Sequence, residues 1–273
     1  MKRYKSFLRA GLLDVFAYKF NVLSWMLVVA SSLLCLFFLW VAVYRNSPQD
    51  IINGFRFQEI IAYTVIINIF SFTVNCSETQ DMIMEDIHTG QIAMSLIKPI
   101  SYRLRCLFTT FGKLIGNNLI FGIPALVIAT VLLAGNHYIQ IASAFIFCRN
   151  LVLFLISELL AVILLDTISY IFGIISFYTL AGFGLYQIKD VIINFLSGGL
   201  IPIAFFPKQM IGILNHMPFV GMAQNPTLIF LGKMSLSEAL NSILLQIVWL
   251  VLLELFAKLF YLRAIRKVTI QGG

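Results

Sequence analysis

Two charged side chains lie where charge is most expensive. Arg149 and Glu158 both fall inside an apolar stretch long enough to cross a bilayer, and an ionised group at mid-membrane costs roughly 2.5–3.5 kcal/mol on insertion scales. The chemistry open to such residues is a proton or ion relay along a polar pathway, with Asn68 as a further polar group in an earlier apolar run. The plain alternative has Arg149 snorkelling outward and Glu158 protonated or bonded to a neighbouring helix. Nine positions apart, the two are too distant to pair on one helix.

No other constellation could do chemistry. His88, His137 and His216 lie far apart, and Cys35, Cys76, Cys106 and Cys148 are scattered without a CxxC, which supports neither a metal site nor a disulfide framework. There is no GxSxG, no HExxH, no paired carboxylates on one helix face, and no GxxxxGK[ST] phosphate loop. The chain is therefore expected to be no enzyme and to bind no cofactor itself; if ATP is used, the hydrolysing site belongs to another chain. Asn68, Asn75, Asn117 and Asn118 read as hydrogen-bonding groups between helices, and "GKLIG" (112–116) as a small-xxx-small packing surface. Glu254 and Lys258 have the spacing of a local ion pair.

The elements that hold these residues are set by lipid. Hydrophobic residues make up 60% of the 273 and charged ones 11%, with a mean hydropathy of +0.94; a soluble domain is about half apolar and a quarter charged. The apolar residues come in runs of bilayer-spanning length, which predicts an all-α polytopic membrane protein forming one domain over 1–273. The excess of 19 Lys and Arg over 12 Asp and Glu fits cytoplasmic loops facing anionic lipid, so no nucleic-acid partner is expected.

Residues 1–19 place Tyr4, Phe7, Leu8, Leu12, Val15 and Phe16 on one helical arc and Lys2, Lys5 and Arg9 on another. That predicts an amphipathic helix in the headgroup plane; a signal peptide is disfavoured by the length of the next apolar run and the lack of a small-residue cleavage site. Six spans are expected, at about 22–44, 59–76, 109–133, 141–165, 169–194 and 240–261. The turn between the fourth and fifth falls near Asp166, and Gly182 and Gly184 interrupt the fifth. With the N-terminus inside, 13 of the 19 basic residues are cytoplasmic, so both termini are placed there. The largest cytoplasmic feature is then 77–108, containing "EDIHTGQIAMSLIKPIS". Between spans five and six, 195–235 holds four of the seven prolines in an apolar context. It reads as re-entrant outer helices, because broken backbone at membrane depth needs protein or a cavity to cover it.

This order of parts resembles the permease subunit of type-2 ABC exporters, and within them the small six-span permeases of bacterial multidrug and antimicrobial-peptide export. The resemblance is carried by "IHTGQIAMSLIKPIS" (87–101), "LSGGLIPIAFFP" through "HMPF" (196–219) and the terminal "VTIQGG". It implies alternating access driven by two ATP-binding-cassette ATPase subunits that hold ATP and magnesium, a second identical or similar permease, and a bacterial cell membrane. It assigns ATPase coupling to Ile87, His88, Gly90, Gln91, Ile92, Leu96 and Pro99. An extracellular gate would comprise Ser197, Gly198, Pro202, Phe206, Pro207, Pro218 and Phe219, and residues 1–19 would form an elbow helix. Physically, Ile87, Ile92, Leu96 and Ile97 supply an apolar ridge, Gly90 permits a bend, and Pro99 stops the helix. The acids Glu78, Asp81, Glu85 and Asp86 receive no role from the resemblance. The competing readings are an ion-coupled secondary transporter or channel using Glu158 and Arg149, and an intramembrane enzyme.

Overall fold

The computed structural model describes residues 4–74, 79–92, 100–136, 138, 143–179 and 182–267. Leu96, Pro99, Asn75, Cys76, Glu78, His137 and "VTIQGG" lie outside these residues. The chain is almost wholly helical: α1 (Lys5–Ala17), α2 (Lys19–Arg45), α3 (Phe57–Val74), α4 (Thr79–His88), α5 (Tyr102–Asn117), α6 (Ile123–Gly135), α7 (Ala144–Ile175), α8 (Gly182–Leu196), α9 (Lys208–Leu214), α10 (Gln224–Phe230) and α11 (Leu236–Ala264). A two-stranded antiparallel hairpin, β1 (Ile51–Ile52) and β2 (Phe55–Arg56), is the one departure from the all-helical expectation among the described residues. Its turn has Asn53 at φ 49° and Gly54 at φ 84°, the left-handed pair that two-residue hairpins require.

Local signals start the long helices where the sequence allows them. Ser235 accepts from the Glu238 amide while Glu238 accepts from the Ser235 amide at 2.8 Å, a capping box that opens α11. Ser101 and Ser143 cap α5 and α7 through their hydroxyls alone, accepting from the amides of Leu104 and Phe145. Among the described residues, five helical stretches are long and apolar enough to cross a membrane: Ser24–Arg45, Phe57–His88, Tyr102–Gly135, Ala144–Ile175 and Leu236–Ala264.

The boundary between the fourth and fifth expected spans is corrected. Asp166 is no turn residue: α7 runs unbroken through it to Ile175, and its side chain is wholly buried. Bonds from neighbouring helices satisfy the carboxylate, so nothing draws it out to water. The following helix, α8, begins at Gly182 and has 15 residues, about 22 Å at 1.5 Å per residue. That is less than the roughly 30 Å hydrocarbon core, so the expected fifth span at 169–194 is replaced by the end of α7 and the short α8.

The third expected span begins earlier than about Thr109, since α5 starts at Tyr102. It continues into α6 through a π-helical turn at Asn118–Gly122. Gly122 there lies against α3, where an added Cβ would come within 2.5 Å of Thr73.

The apolar arc of α1 meets protein. Gly11 and Gly112 let α1 and α5 touch backbone to backbone: a Cβ on Gly112 would lie 2.1 Å from the Leu8 carbonyl oxygen, and one on Gly116 2.9 Å from Val15. The small-residue pattern at 112–116 is thus a contact surface, and its partner is α1. Asp14 pairs with Lys113 at 2.9 Å, Tyr4 stacks on Phe108, and the Ser101 amide donates to the Tyr4 hydroxyl. Leu13 and Phe16 remain exposed.

Candidate functional site

Near one end of the bundle, helices α4, α5, α7 and α11 meet around a guanidinium. Arg103 of α5 forms an ion pair with Asp166 of α7 and reaches Glu254 of α11 at 2.5 Å. It also donates to the Thr167 hydroxyl at 2.9 Å and lies over the Tyr170 ring. Thr79 of α4 and Thr110 of α5 donate to Asp166 at 2.6 and 2.7 Å. Arginine suits this position because its planar fork serves several acceptors at once. Glu254, expected to pair with Lys258 one turn on, is bound by Arg103 and lies 2.8 Å from the Thr167 hydroxyl.

A second cluster extends the junction along α4. Asp86, buried to 4% exposure, accepts from the Tyr102 hydroxyl at 2.7 Å and pairs with Arg105 at 2.9 Å. Tyr102 stacks on Tyr261 of α11. Ile83 is fully buried and packs on Gly173, where an added Cβ would fall 2.6 Å from it. Helix α4 is therefore fixed to α5 and α7, with α11 behind them.

The residues assigned to coupling follow directly. Ile87 is half-buried, His88 closes α4, and Gly90 reverses the backbone at φ 70°, a conformation glycine adopts without steric cost. Gln91 and Ile92 resume helical backbone, with Gln91 exposed and Ile92 buried. The structure places these five together at the end of α4.

The Pro/Gly-rich segment is a string of short helices, as its composition predicts, pinned by two glutamines. The Gln224 side-chain oxygen accepts from the Ile203 amide at 2.7 Å. Tyr63 donates to the Gly198 carbonyl at 2.8 Å, and Gly198 has φ 81°. Gln246 of α11 donates to the carbonyls of Gly221 and Ser157. Ser197, Pro202 and Pro218 are buried, Phe206 and Phe219 half-buried, and Pro207 exposed. Phe206 packs on Phe195 of α8.

Arg149 and Glu158 are not brought together. Arg149 binds its neighbour Asn150, while Glu158, almost fully buried, lies against Thr73 of α3. Asn68 donates to the Thr64 carbonyl in its own helix. The positions form no continuous relay.

From sequence, Arg103 and the two glutamines carry no role, Asp86 is an acid without one, and Glu254 and Asp166 are given other partners or places. A signal for the Arg103 junction did exist: Asp166 interrupts a long apolar run, and a buried carboxylate there demands a cation from another helix. The partner is Arg103, which falls within the expected cytoplasmic stretch 77–108.

A sequence model of the family described as "ABC-2 family transporter protein" matches residues 30–272. No curated protein and no solved structure matches the chain. The match covers both the junction at α4 and the glutamine-pinned segment, within a bundle of membrane-length helices: the chain belongs to the ABC-2 family, as a multi-pass membrane component of an ABC transporter.

Proposed function

We propose that this chain is the permease of an ATP-driven exporter, working by alternating access in a bacterial cell membrane with both termini in the cytoplasm. It would carry no ATPase site of its own. Two ATP-binding-cassette subunits would supply ATP and magnesium, and a second identical or similar permease would complete the pathway. In this reading α8 is a fifth crossing shorter than the hydrocarbon core, accommodated by local thinning of the bilayer, making six with the five long helices. The segment from Ser197 to Gly232 forms the gate on the side opposite α4, and α1 braces the membrane surface.

The observation that carries the reading is the attachment of α4. The segment ending at Gly90 is bonded through Asp86 and Thr79 to α5 and α7. Through Arg103 the same junction reaches α11. A push delivered by another protein at Ile87–Ile92 would therefore be passed to three long helices at once.

The test is co-expression with an ATPase encoded in a neighbouring reading frame. The expected result is co-purification and ATP-dependent export in proteoliposomes, with both weakened by Gly90→Val or Leu96→Asp while membrane insertion persists. Purification of the chain alone, with flux driven by an ion gradient, would overturn the reading.

A further inference from the structure

Docking on α5 consumes one side of α1 and leaves the other with a composition of its own. Gly11 and Val15 are buried against α5, and Asp14 turns to Lys113 at 2.9 Å. Lys5, Arg9, Leu13 and Phe16 are all exposed, and steps of four, four and three residues set them along one helical stripe. The stripe is about 16 Å long at 1.5 Å per residue, with two cations at its start and two large apolar side chains at its end.

The charge on this face is not neutralised from within the helix. Asp14 is the one carboxylate of α1, and Lys113 occupies it. Among the described residues, neither Lys5 nor Arg9 enters an ion pair. One turn apart, their Cβ atoms are about 5–6 Å from each other, so both long side chains can reach a single phosphate. The apolar half opens onto lipid. Tyr18, Phe20 and Trp25, which carry the chain from α1 into α2, are exposed as well. The Ser24–Arg45 stretch they lead to is almost wholly uncovered by the rest of the chain, so Leu13 and Phe16 are continuous with the lipid-facing surface of a membrane-length helix. Two cations followed by apolar bulk, on a face that runs into such a helix, complement a lipid of net negative charge. A zwitterionic lipid offers the same phosphate but brings its own cation, which Lys5 and Arg9 repel.

We propose that the outward face of α1 is a binding surface for anionic phospholipid, in which Lys5 and Arg9 hold the headgroup phosphate and Leu13 and Phe16 lie against the first acyl methylenes. Because Gly11 and Gly112 bring α1 and α5 into backbone contact, lipid bound here is joined to the helix that carries Arg103. The bracing role of α1 in the exporter reading thereby acquires a lipid class; the site itself does not rest on that reading.

The test uses the full-length chain in maltoside micelles at low salt, without ATP or an ATPase. The probes are fluorescent phosphatidylglycerol and phosphatidylcholine with identical chains. Phosphatidylglycerol is expected to bind roughly thirtyfold tighter, about fivefold for each cation. Lys5→Gln/Arg9→Gln should remove most of that preference; both side chains are exposed, so an unchanged thermal midpoint reports intact folding. Lys258→Gln/Arg263→Gln, which takes two exposed cations from α11, should leave the preference in place. Leu13→Asn/Phe16→Asn should weaken both lipids alike. A preference that survives the α1 charge variant, or that falls equally in the α11 variant, would overturn the proposal by assigning the effect to net charge alone. Displacement of the probe by glycerol phosphate at matched ionic strength would overturn it in favour of a soluble anion. Equal binding of the two lipids by the unaltered chain would overturn it too, leaving the face to an acidic protein surface. Binding is read without an ATPase, so failure of the exporter test leaves the result standing.

Discussion

Asp166 is wholly enclosed, and its charge is tolerable only because Arg103, Thr79 and Thr110 converge on it. Removing one member of a buried pair strands the other, at a cost of about 3–5 kcal/mol. Arg103→Leu should therefore destabilise the protein by that order, read as a large fall in the midpoint of thermal unfolding in detergent. Asp166→Asn leaves a neutral acceptor for the two threonines and should cost less. Equal, small effects from both would show that the junction contributes little. Gln224→Leu is a second case: it leaves the buried Ile203 amide without its 2.7 Å acceptor, at about 1–3 kcal/mol. Loosening of the segment around Gly198 should appear as faster amide exchange there, with the α4 end unaffected. These residues were illegible in the sequence for a physical reason. An aspartate in an apolar run signals either a turn or a distant cation, and only the packing of α5 on α7 decides which. A glutamine in an apolar stretch gives no hint of whose backbone it satisfies.

Among the elements, those fixed by apolar length and periodicity were readable, and those fixed by tertiary contact were not. The ends of α2, α3 and α11 fall within a few residues of the spans expected at 22–44, 59–76 and 240–261, because lipid thickness dictates them. The α7–α8 boundary was missed because residues 141–181 are nearly continuous in hydrophobicity and carry no breaker where the chain had been expected to turn. Helix α1 falls within the expected 1–19, and its apolar arc covers α5. That contact has a sharp steric requirement. A side chain at Gly112 would collide with the Leu8 carbonyl oxygen, and backbone cannot yield as a flexible side chain can. Gly112→Val should separate α1 from α5 and open Arg9 to trypsin. Gly135→Val, at a glycine with open space around it, should leave cleavage unchanged. Protection of Arg9 in both variants would mean that α1 is held elsewhere.

At the scale of the molecule, α4 is positioned between two systems of bonds, one reaching α7 through Thr79 and one reaching α5 through Asp86. Motion at Ile87–Ile92 passes into the bundle only if these bonds hold. Asp86 is the sensitive point, because Tyr102 and Arg105 both converge on it while His88 and Gly90 lie just beyond. If the chain works as proposed, Asp86→Ala should leave the ATPase bound, since the contact ridge is untouched. It should lower the cargo moved per ATP hydrolysed, because α4 would yield without carrying α5 with it. The exchange Asp86→Arg with Arg105→Asp restores a pair of opposite charge across the same gap and should recover part of that ratio. Tyr102 would then face a cation, which keeps the recovery incomplete. The measurement is the ratio of export to ATP hydrolysis in proteoliposomes for the single and exchanged variants. A proportional fall in both rates, with no recovery on exchange, would place Asp86 in folding rather than in transmission, and the route from α4 to the spans would then run through Thr79 and Asp166 alone.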